Sequence, residues 1–144
     1  MNATPKTILV PYDFDEVSGR TLEYTEALAK TFGATVTLVH VCEVKVYGPH
    51  RAHFPVPDVF EQLAAAASEA LRKVTEASKE VPMKFVIRRG VPWEAIRDEA
   101  DPAKYDLVVI GSHSRRGLAG TFLGGVSERV VHMAKVPTLV VPAS

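Results

Sequence analysis

The sequence predicts an α/β fold: one doubly wound, five-stranded parallel sheet of strand order 3-2-1-4-5 with helices on both faces. Three observations carry the doubly wound parallel sheet, and the strand order is assumed with it. Four Val/Ile-rich runs, at 7–11, 34–41, 105–111 and 137–142, are apolar at nearly every position, as strands covered on both faces are. Helical periodicities lie between the runs, so the order reads βαβαβαβαβ. Such alternation implies parallel strands joined by right-handed crossovers.

Each element has its own justification. The run 7–11 opens the sheet. The first helix, 15–32, repeats Val17, Thr21, Tyr24, Leu28 and Phe32 at three to four residues, with Asp15 as its cap and Gly33 marking its end. After the strand at 34–41, a second helix spans 58–80. It opens with Pro57-Asp58-x-x-Glu61, which has the form of a capping box, and places Val59, Leu63, Ala66, Ala70, Val74 and Ala77 on one face. The strand at 83–88 alternates more and ends in basic residues, as a strand near a sheet edge does. A short third helix starts at Pro92 with Trp93, Ile96 and Ala100 inward. The strand 105–111 follows, then a helix after Gly124-Gly125 with Val126, Val130 and Met133, then the strand 137–142.

Composition narrows the function classes. At 144 residues the chain fits one domain, 1–144, long enough to bury roughly 68–70% of its unfolded surface without disulfide or metal. Seventeen basic residues balance seventeen acidic ones, so the counterion release that drives nucleic acid binding has no basic surface to supply it. No run approaches a membrane span, and the N-terminus lacks a signal-peptide core; a cytoplasmic protein is expected. The lone cysteine, Cys42, reads as a small buried hydrophobe or as a redox site.

In a sheet of this order ligands bind beyond the carboxyl ends of strands one and four, where the order reverses. Pro11-Tyr12-Asp13 leaves the first strand there, and Gly111-Ser112-His113-Ser114-Arg115-Arg116-Gly117 leaves the fourth. Glycines, hydroxyls and cations ahead of a helix beginning at Gly124-Gly125 suit a phosphate. The same residues also read as strand ends, turns and solvated charge, and Asp13 as a turn residue. Several chemistries fail. No G-x-G-x-x-G follows the first strand, and the Walker-like stretch from Gly120 to Gly125 continues with Val126-Ser127 where a lysine is required. Ser112 and Ser114 lack a G-x-S-x-G setting, and His113 lacks a carboxylate partner in sequence. His50 and His53, with Cys42, do not specify a metal site.

The segment GSHSRRGLAGTFLGGVSERV, followed by VPTLVVP, resembles the C-terminal signature of the universal stress protein family. The likeness covers essentially the whole chain: ILVPYDFDEVS is similar to the family's first strand and acidic turn, TLVHV to its second strand, and RRGVPWEAI to its Gly-x-Pro helix start. It implies an adenine nucleotide alpha hydrolase-like fold and a stress-response regulator that binds ATP or AMP, with Mg²⁺ if ATP, without evolved turnover; a slow ATP hydrolase and a dimeric interaction protein without nucleotide are the alternatives. Asp13, beside Pro11, would hold the ribose or the metal side. Val41 would meet adenine through its backbone, and Gly111 to Gly117 with Gly124, Gly125, Val126 and Ser127 would wrap phosphates and ribose. Against the family pattern G-x2-G-x9-G-S/T, Gly111 and Gly124 match, Ser114 replaces the second glycine and Gly125 the hydroxyl residue. A homodimer through the last strand is also expected; the sequence names no other protein partner.

Overall fold

The structure, a computed structural model, describes residues 4–43, 57–112 and 125–143. Five strands, β1 (Thr7–Pro11), β2 (Thr35–Cys42), β3 (Met83–Arg89), β4 (Leu107–Gly111) and β5 (Thr138–Val141), form one sheet ordered β3-β2-β1-β4-β5, parallel throughout. That is the expected order, with β3 and β5 at the edges. Ile8, Leu9 and Val10 of the central strand have no exposed surface, as an unbroken apolar run covered on both faces requires.

Four helices cover the two faces: α1 (Glu16–Phe32), α2 (Pro57–Ala77), α3 (Pro92–Glu99) and α4 (Gly125–Met133). Leu22 and Ala29 of α1 and Ala67 and Leu71 of α2 pack on Ile8, Val10, Val36 and Leu38. Ile96 at α3 and Val130 of α4 pack on Leu9, Val39, Val108 and Ile110, the residues of alternate parity. The side chain of Asp15 accepts a hydrogen bond from the Ser18 amide at 2.7 Å, and Gly33 ends α1 at φ 65°. Pro92 stands in the first turn of α3.

The faces of three helices need correction. In α2 the inward stripe runs through Ala67 and Leu71, with Val74 beside them, while Val59 and Leu63 are 47% and 46% exposed and Ala66 and Ala77 face solvent. A run of alanines makes neighbouring stripes nearly equivalent, and fully buried Leu71 decides between them. The helix also stops at Ala77 rather than 80, where the Ser78 amide donates to Thr75 O and its hydroxyl to Val81 O. In α1, Thr21 is buried as expected, but Tyr24 is 48% exposed and Thr25 is buried in its place. The two threonine hydroxyls donate to the Val17 and Thr21 carbonyls at 2.6 and 2.7 Å, which removes the cost of burying them. In α4, Met133 is 49% exposed; Val130 and Val136 fill the space beneath. The side chains of Pro57 and Asp58, and with them the expected capping box, lie outside the described residues.

Candidate functional site at the parting of β1 and β4

The site begins with a missing donor. The Asp106 amide donates to Thr7 O and the Tyr12 amide to Val39 O, so odd residues of β1 turn their peptide groups toward β4 and even ones toward β2. Pro11 is odd and has no N–H, which removes the next donor toward β4. Register between the two strands covers Ile8 with Leu107 and Leu9 with Val108, and goes no further. Beyond it a cleft of about 370 Å³ opens, bordered by Pro11, Asp13, Val41, Gly111, Val126 and Ser127 among others. Small-molecule sites run from roughly 300 to 1,000 Å³, so its size suits a mononucleotide.

The turn at the end of β1 is tightly organised. Ser18 uses both its groups, its amide on the Asp15 carboxylate and its Oγ to accept from the Asp13 amide at 2.9 Å. Phe14 between them lies at φ 60°, a left-handed conformation that costs about 1–2 kcal/mol for a residue with a Cβ. Its ring meets those of Tyr12 and His40 edge to face, each at 5.1 Å. The His40 imidazole donates from Nδ1 to Tyr12 O at 2.9 Å and stands 4.0 Å from Asp13 Oδ1. Burial, then the Asp15 carboxylate, pushes the Tyr12 phenol up, so it stays a neutral donor. Burial likewise pushes the Cys42 thiol up, which favours its reading as a buried hydrophobe.

Val41 owes its place to alternation along β2. The peptide groups of Val39 face β1 and those of Cys42 face β3, where Cys42 O accepts from Gly90 N. Val41 has the parity of Val39, and β1 is paired with β2 only as far as Val39. Its N–H and C=O therefore turn to the side on which the neighbouring strand has ended.

Across the cleft, Gly111 closes β4. A Cβ there would overlap Val17 Cγ1 and lie 2.8 Å from Thr21 Oγ1, so the glycine is demanded by the close approach of α1. Ser127, 4% exposed, donates its hydroxyl to Gly111 O at 2.5 Å. Ser112 donates its amide to Val141 O, and its Oγ accepts from Ala143 N at 3.0 Å. Gly125 heads α4 with open space where a Cβ would stand. Of the residues singled out in sequence, the first six named above border one cleft, whereas Ser112 and Gly125 stand beside it. His113, Ser114, Arg115, Arg116, Gly117 and Gly124 lie outside the described residues, as do His50 and His53. Sequence reasoning gave no site role to Tyr12, Phe14, His40 or Leu63. The parity of His40 and Tyr12 with Cys42 and Val10 could have found those two; Phe14 lies past the end of β1 at φ 60°, and Leu63 needed the orientation of α2. Among the described residues no group of three His, Cys, Asp or Glu could hold a metal, and no helix is long and apolar enough to cross a membrane.

A doubly wound parallel sheet with a mononucleotide-sized cleft over its topological switch point is the architecture of an α/β nucleotide-binding fold. Residues 4–142 match the universal stress protein family, and the chain belongs to it. It is 33% identical over 138 residues to universal stress protein MJ0531 of Methanocaldococcus jannaschii, covering 94% of this chain and 81% of that protein. The structure of universal stress protein UspA from Lactobacillus plantarum superposes with a TM-score of 0.81 at 24% identity, over 97% and 99% of the two chains. A universal stress protein solved in complex with cAMP superposes at 0.64 with 23% identity, over 99% of this chain and 100% of that one.

Proposed function

We propose that this protein binds an adenine nucleotide, ATP or AMP, in the cleft between β1 and β4 and acts as a ligand-gated regulator in a stress response, without turnover. The observation that carries the reading is the Val41 peptide, which turns toward the cleft where β1 has ended. One donor and one acceptor on a rigid strand match the edge of adenine. Asp13, at the mouth, accepts from ribose hydroxyls. The first-turn amides of α4 have no acceptor within their own helix and favour the phosphate end, with Arg115 and Arg116 supplying positive charge. Pro92 and Ile96 give the base an apolar wall. A relative of the same fold in complex with cAMP supports this choice of ligand class.

Calorimetry with AMP and with Mg-ATP, on the wild type and on Asp13→Ala, tests the reading. Binding in the high micromolar range that weakens about tenfold in Asp13→Ala is expected; no heat at millimolar nucleotide overturns it. Phosphate release above a buffer control overturns the absence of turnover. The second part of the proposal is a homodimer through β5, an edge strand whose partly exposed Thr138, Leu139 and Val140 carry no charge to discourage pairing. Light scattering is expected to give a dimer that Val140→Lys converts to monomer.

A further inference from the structure

We infer that Ser127 and Gly111 form a positioning clasp that sets the N-terminus of α4, so that Ser127 acts on a bound nucleotide through the helix and not by touching it. The Ser127 hydroxyl has one proton, and that proton is given to Gly111 O. A phosphate oxygen at neutral pH needs a donor, so the hydroxyl has nothing to offer it while this bond stands. The residue is 4% exposed, which limits the water that can compete for the bond. Gly111 in turn cannot shift on its other side, where Val17 and Thr21 of α1 fill the space a Cβ would take. Thr21 is itself fixed, its hydroxyl held by Val17 O. A continuous line of contacts thus runs from α1 through the end of β4 to the third residue of α4. The bond spans sixteen residues of sequence and joins the two ends of the connection between β4 and α4. Gly125, two residues earlier, stands at the exposed head of the helix with open space where a Cβ would stand. The amides at the head of α4 are therefore the groups presented to a ligand, and Ser127 is what aims them.

The effect on affinity rests on the nucleotide reading above; the effect on the helix does not. In Ser127→Ala, amide exchange across α4 should rise at least fivefold in nucleotide-free protein, with β1 and β2 unchanged. AMP affinity should fall about tenfold and adenosine affinity should stay as it was. Ser127→Thr, which keeps the hydroxyl, should restore both. Lost AMP affinity with unchanged exchange in α4 would make the hydroxyl itself a ligand and overturn the clasp. So would a threonine variant that behaves like alanine, a rise in exchange spread over the whole sheet, or no change in either measurement. If the wild type binds no AMP, the nucleotide reading falls while the exchange comparison still decides the clasp.

Discussion

The same two strands, β1 and β4, are treated in opposite ways at their two ends. At the amino ends Asp106 ties them: its carboxylate accepts from the Lys6 and Thr7 amides at 2.8 and 3.1 Å and from the Thr7 hydroxyl at 3.2 Å, while its own amide donates to Thr7 O. At the carboxyl ends Pro11 withholds a donor, pairing stops, and a cleft opens that is lined by side chains from the β1 turn and α4. Because all five strands run in parallel, the loops that follow them gather at the end opposite Asp106. The Asp106 ties and the proposed nucleotide site thus stand at opposite ends of one strand pair, and substitutions should separate them.

The largest effect should come from Gly111→Ala, which drives a methyl into Val17 and Thr21. Overpacking of that kind costs about 2–3 kcal/mol, and since it displaces α1 from β4 it should lower both the urea midpoint and nucleotide affinity. Asp106→Ala breaks the closed end instead. Losing a carboxylate that accepts three hydrogen bonds should cost about 2 kcal/mol of stability, with AMP affinity unaltered in calorimetry. A loss of affinity there would show that the two ends are not independent. Gly125→Ser sharpens the open end. It has room and no left-handed backbone to oppose it. A hydroxyl within reach of the phosphate should raise AMP affinity about tenfold, or about 1.4 kcal/mol, and the addition of Ser114→Gly should raise it further. Adenosine affinity is the control that should not move.

The smallest effect concerns acid. Beneath α3 the Glu99 carboxylate, nearly buried, accepts from Arg88 Nε at 2.8 Å and from the Tyr105 hydroxyl at 2.7 Å. Burial works to raise its pKa, but the hydrogen bonds from Tyr105 and Arg88 prevail and hold it below the ordinary carboxylate range. A depressed folded-state value means that this contribution is present above the unfolded carboxylate's pKa and is lost as pH falls through the folded one. Urea midpoints between pH 6 and pH 3 should therefore fall less steeply in Glu99→Gln than in the wild type. Burial, then Glu99, pushes the Tyr105 phenol well up, so it remains a donor throughout that range.

The alternation of strands and helices was legible because it follows from local pattern, unbroken apolar runs with helical repeats between them; the order 3-2-1-4-5 was assumed with the doubly wound class, and the cleft's position follows from that order by the rule that parallel sheets bind ligands where their order reverses. Asp15 and Gly33 were legible as caps because a cap acts within a few residues. Asp106 was not, since its partners Lys6 and Thr7 are about a hundred residues away in sequence. Gly111 was read as a glycine that admits a ligand; its neighbours in space are Val17 and Thr21, which no spacing in the fourth strand reveals. The face of α2 was misjudged where alanines left the pattern degenerate, and that of α1 at Tyr24, where Thr25 is buried instead with its hydroxyl satisfied on its own helix.

The short register between β1 and β4, two residue pairs against seven between β2 and β3, gives the sheet a fault line. On one side lie β1, β2 and β3; on the other, β4 and β5 with α4. Partial opening should follow that line, since fewer ladder bonds must break there than at any other strand boundary. A nucleotide reaching from Val41 and Asp13 to the head of α4 would span the break and bind only while both halves are docked. The molecule would then lend its ligand a mechanical part, that of the missing rungs between two strands its own sequence holds apart.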